Sequence, residues 1–105
     1  MEKWVCVNKE LYDTIEGIPV YFCDKILLRG KNVTKFIRGM YLPEKNEIWI
    51  TEYADRKTIA HEIAHAKLRR KYPELHELAK ENRDIAFRIE KMARKLEKEI
   101  LEKYF

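Results

Sequence analysis

The sequence predicts an α+β domain with its strands ahead of its long helices. Three observations predict it. The β-rich run Ile18-Pro19-Val20-Tyr21-Phe22-Cys23 and the alternating run near Ile48-Trp49-Ile50-Thr51 lie in the first half. From Asp55 onward the apolar spacing changes to three- and four-residue steps. No glycine or proline interrupts the last thirty residues. Segregated strands and helices pack as a sheet covered by helices, not as alternating β-α units.

Each element follows from local signals. Residues 8–16 read as a short helix, with Asn8 as N-cap, Leu11, Ile15 and Tyr12 on its apolar side, and Gly17 as a stop. Residues 18–23 read as a strand, with Pro19 tolerated at its start or on an edge. Gly30-Lys31-Asn32 reads as a turn. Residues 35–42 and 47–51 form a predicted hairpin around Pro43-Glu44-Lys45-Asn46. In its second strand, Ile48 and Ile50 face one way and Trp49 and Thr51 the other. Asp55 caps a helix whose side Ile59, Ile63 and Ala66 share, and Pro73 ends it near Lys71 or Tyr72. A single long helix then runs from Pro73, striped by Leu75, Leu78, Ile85, Ile89, Met92, Leu96 and Ile100.

Length and composition limit the function classes. One hundred and five residues make one domain with a small core. The net charge of +4 comes from interleaved acids and bases. The densest basic run, Lys67-Leu68-Arg69-Arg70-Lys71, reads as a solvated helix end complementing the dipole, so no nucleic-acid partner is expected. Ser and Gln are absent while 38% of residues are charged, a bias seen in thermophiles. No signal peptide and no membrane span are visible, which leads us to expect a cytoplasmic protein. Cys6 and Cys23 lack metal-ligand spacing; they fit either buried thiols or a disulfide.

The chemistry concentrates in His61-Glu62-Ile63-Ala64-His65. Four-residue spacing places both imidazoles on one helix face, one turn apart. Two such rings fill two corners of a tetrahedral Zn2+. Glu62, one residue along, leans to the side of the metal and can take a proton from water. A catalytic zinc wants a third protein ligand. If the chain reverses at Pro73, equal rise per residue brings the next helix level with the motif eight or nine residues later. That ranks Glu81 first, His76 second and Glu77 third. Asp84, nearly on the same face as Glu81, is the candidate to orient a ligand. Tyr72 and Tyr53 are candidate oxyanion donors.

The five-residue motif, preceded by a hairpin ending Ile48-Trp49-Ile50-Thr51, resembles the gluzincin metallopeptidases, and most closely the minigluzincins. The resemblance implies a minimal zincin: an N-terminal helix, a small antiparallel sheet, an active-site helix and a long C-terminal helix. It implies a zinc-dependent endopeptidase acting on peptides or proteins, with a glutamate ligand on the helix after the motif, a role Glu81 fits. The acid that family often carries four residues later is absent, since Ile85 stands there. An edge strand bearing Phe36, Ile37 and Arg38 is expected to pair with bound peptide. Latency through a terminal segment, roughly 90–105 or 1–7, is also implied. The apolar stripe Ile89, Met92, Leu96, Ile100, with Leu101, Tyr104 and Phe105, suggests independently a segment that folds over the cleft or swaps into a homodimer. The rival expectation is a catalytically silent zinc-binding regulatory or interaction module.

Overall fold

The computed structural model describes residues 3–29 and 37–105. Six strands come first: β1 (Lys3–Val7), β2 (Glu10–Ile15), β3 (Ile18–Phe22), β4 (Lys25–Arg29), β5 (Gly39–Leu42) and β6 (Glu47–Ile50). Three helices follow: α1 (Arg56–Lys71), α2 (Pro73–Ala79) and α3 (Arg83–Tyr104). The α+β class matches the sequence reading, and the strands precede the long helices as read.

The N-terminal helix does not form. Residues 10–15 are strand β2, paired antiparallel with β3 from Glu10↔Phe22 to Ile15↔Ile18. The turn between them consists of Glu16 and Gly17, with φ of 55° and 74°. Two successive positive φ values make the hairpin turn whose twist suits the flanking strands. Gly17 therefore closes a hairpin instead of stopping a helix. Leu11 and Ile15, four apart, imitate a helical stripe, yet only Ile15 of this strand is buried.

The strands form two sheets. One has four strands in the order β2-β3-β6-β5, with β3 and β6 parallel and the other pairs antiparallel. The expected small antiparallel sheet is thus larger and mixed. Pro19 sits ahead of Val20, where the pairing to β6 begins, so its missing N–H costs no bond to that strand. The second sheet is the antiparallel ribbon β1-β4.

Alternation along β6 separates two apolar layers. Ile48 and Ile50, with Ile18 and Val20, pack against Ile59, Ala60, Ile63 and Ala64 of α1 and Ala93 and Ile100 of α3. Trp49 faces the opposite side, with Cys23, Ile26, Trp4, Met40 and Leu42. There the ribbon is tied down by a disulfide between Cys6 and Cys23, whose Cα atoms are 5.3 Å apart. The result is helices, sheet and ribbon in three layers.

The hairpin β5-β6 forms as expected, but β5 is shorter than residues 35–42. Ile37 and Arg38 precede it; their carbonyls accept hydrogen bonds from Thr51, through Oγ1 at 2.8 Å to Ile37 and through N at 3.0 Å to Arg38. Phe36 and the turn read at Gly30-Lys31-Asn32 lie outside the described residues. Gly39 opens β5 close to α1: a Cβ there would stand 3.1 Å from Thr58 Cγ2 and 3.4 Å from the Trp49 carbonyl oxygen.

α1 begins as read. Asp55 Oδ1 accepts from Thr58 N at 2.7 Å, which satisfies one of the otherwise unpaired first-turn amides. The helix ends at Lys71 with Tyr72 as cap, before Pro73. The single long helix expected after Pro73 is two helices. α2 stops at Ala79, and Asn82 caps α3 by accepting from Asp84 N and Ile85 N.

Candidate metal centre

α1 is the central helix, touching β5, β6, α2 and α3. Its residues Ile59, Ala60, Ile63, Ala64, Ala66 and Leu68 are buried, so the histidine face is held rigidly toward α3. Nε2 of His61 and Nε2 of His65 lie 3.1 Å apart, and the rings meet edge-on. Glu90 Oε1 of α3 is 3.3 Å from His65 Nε2. His61, His65 and Glu90 each offer a ligand atom within 4.8 Å of the others. Two nitrogens binding one tetrahedral zinc at about 2.0–2.1 Å would be roughly 3.3 Å apart. The donor set is two imidazoles and a carboxylate, the kind zinc takes, so the residues present fit a metal ion.

The groups around this trio are arranged by the antiparallel run of α3 along α1. Glu90 stands beside His65, and Glu97, two turns on, stands beside His61, with Oε1 3.5 Å from Nδ1. Glu97 is only 9% exposed. Burial holds the His65 imidazole below its usual pKa, and the nearby His61 adds to this, so the neutral form that ligates metal is favoured. Glu62 is pushed up to about 7 in the metal-free protein, chiefly by burial. His61 and the backbone N–H of Tyr41, which the carboxylate accepts from, pull it back down, while Glu90 raises it further. Glu62 is thus held between the histidine face of α1 and the edge strand β5.

The other residues singled out from the sequence are not in this trio, although His76 is near enough to act electrostatically on His65. Glu81 lies in the exposed turn between α2 and α3, outside the His61–His65–Glu90 group. The count that selected it assumed one continuous helix after Pro73. The break at Lys80-Glu81-Asn82 shifts the level residue to Glu90. Glu77, exposed on α2, bonds Lys80 and lies 3.9 Å from Arg69. His76 has Nδ1 3.2 Å from the Tyr72 carbonyl oxygen, and its buried Nε2 has no hydrogen-bond partner among the described residues. It stands outside the His61–His65–Glu90 group. Asp84 is exposed in the first turn of α3, where its N–H serves the Asn82 cap. Tyr72 caps α1 and packs on the core, and Tyr53 lies exposed in the loop before α1.

Glu90 and Glu97 were missed, although a signal existed. Ile89, Ala93 and Glu97 fall four residues apart, and with Ile100 they are the four buried residues of α3. An acid on an apolar helix stripe is rare unless something pairs with it. The C-terminal stripe itself is covered: Ile89 and Ile100 are buried, and Met92, Leu96 and Leu101 pack against the core. No helix of the described residues is long and apolar enough to cross a membrane. No protein-family model matches the chain, and no curated protein or solved structure matches it significantly.

Proposed function

We propose that the protein is a zinc-dependent peptidase in which His61, His65 and Glu90 hold the metal and Glu62 is the general base. The observation that carries this reading is the convergence of His61 Nε2, His65 Nε2 and Glu90 Oε1 beside the half-buried Glu62 carboxylate. A bound zinc ion would supply Lewis acidity toward a peptide carbonyl and toward water. Glu62 takes a proton from water as the oxygen attacks the carbonyl carbon. It returns that proton to the nitrogen as the C–N bond breaks, and the second water proton follows, leaving a carboxylate and an ammonium. Edge strand β5 offers backbone groups for an extended peptide beside Glu62.

A purely structural zinc site has no use for a carboxylate placed as Glu62 is, which favours catalysis over a silent binding module. Latency through a terminal segment enters this reading only with α3 kept in place, because Glu90, Ala93, Glu97 and Ile100 belong to the site and core. Zinc content by metal analysis and hydrolysis of a fluorogenic peptide library test the reading. Glu62→Gln is expected to keep stoichiometric zinc and lose about 10²–10⁴-fold in kcat. Wild-type protein without zinc, or a mutant as active as wild type, rejects it.

A further inference from the structure

We infer that Glu97 is the positioning residue of this centre, holding the His61 ring so that its Nε2 faces the metal position. The inference rests on the reading that His61, His65 and Glu90 bind a metal. An ionised carboxylate only accepts, so Glu97 Oε1, 3.5 Å from Nδ1, favours the tautomer in which that nitrogen carries the ring proton. In that tautomer the Nε2 lone pair is the one open to a metal. This Nε2 lies 3.1 Å from His65 Nε2, close to the separation of two nitrogens that share one tetrahedral zinc.

The burial of Glu97 argues that the contact is used. An acid placed on the stripe of Ile89, Ala93 and Ile100 is costly unless paired, and an apolar residue there would extend the core. The seven-residue spacing from Glu90 sets both carboxylates on one face of α3, one toward each histidine. Ligand and positioning group thus ride on one rigid element, and the positioning group acts on the histidine that the ligand does not touch.

The test is Zn2+ affinity, by competition with a chromophoric chelator, for wild type, Glu97→Gln and Glu97→Met, beside the melting temperature of each metal-free protein. Glu97→Met keeps the volume and removes the acceptor. It is expected to bind zinc about 10–100-fold more weakly while melting no lower than wild type. Glu97→Gln keeps an acceptor oxygen and is expected to fall between the two. In the metal-free wild type, 15N spectra of His61 are expected to show the Nδ1–H tautomer. Zinc affinity unchanged in a folded Glu97→Met protein overturns the assignment. If that variant does not fold, an Nε2–H tautomer in wild type overturns it instead. Failure of the wild type to bind zinc removes the proposed function as well, so the two failures are distinguishable.

Discussion

The two faces of the central sheet each bury an acid, and they treat it differently. On the ribbon side Glu47, 7% exposed, accepts from Lys9 Nζ at 2.7 Å and from Trp49 Nε1 at 2.9 Å. Its charge is balanced by the lysine, which also lies 4.2 Å from the Tyr21 ring centroid. On the helix side the ion pair that Glu97 makes among the described residues is with a half-exposed imidazole at 3.5 Å, with Glu90 a short distance along. With both rings neutral, that cluster is anionic. The first arrangement is electrostatically closed and needs nothing further. The second has capacity for an added cation. Burial of a charge is therefore not in itself a mark of function; what distinguishes the helix side is the balance left over.

Separating the two faces experimentally sharpens the contrast. The largest effect on stability should come from the ribbon. Replacing Cys6 and Cys23 together by Ser removes a link across a sequence separation of 17 and should cost about 3 kcal/mol in thermal or denaturant unfolding. Zinc affinity should not move. A parallel loss of zinc binding would mean that the faces are not independent.

A smaller effect is expected at Glu47. Burial alone would raise its pKa, but the hydrogen bonds from Lys9 and Trp49, with the lysine charges, hold it below the ordinary value of 4.5. A depressed value in the folded state means that the unfolded chain binds the proton more readily. The contribution is therefore complete above the ordinary value and disappears as pH falls through the depressed one. Glu47→Gln should cost about 1–2 kcal/mol at neutral pH. Its unfolding curve should converge with that of wild type in acid; a gap that stays constant with pH would reject the closed-pair description. The smallest effect belongs to Phe87, 70% exposed and one turn before Glu90 on α3. Phe87→Ser should alter stability by less than about 0.5 kcal/mol. A large fall in melting temperature would reveal packing on that surface.

What could be read from sequence followed the strength of local periodicity. The alternation of Ile48, Trp49 and Ile50 assigned both layers correctly, and Asp55 and Pro73 marked both ends of α1. The four-residue spacing of His61 and His65 needed only the helix to place the rings together. The errors arose where two periods coincide or where distance along the chain was used to measure distance in space. Leu11 and Ile15 fit either a helix or a bulged strand, and the pairing of β2 with β3 decided. Glu90 was out of reach because three residues, Lys80, Glu81 and Asn82, reset the helical count.

Gly39 bears on how far the edge strand stands from the first turn of α1. The hydrogen at its α-carbon occupies the space where any other residue would carry a methyl, 3.1 Å from Thr58 Cγ2. Enlarging that residue would pry β5 off the helix by a few tenths of an ångström. Because the Tyr41 amide two residues on reaches the Glu62 carboxylate, such a wedge would be transmitted to the base itself. The separation of β5 from α1 is thus set by an atom the chain omits.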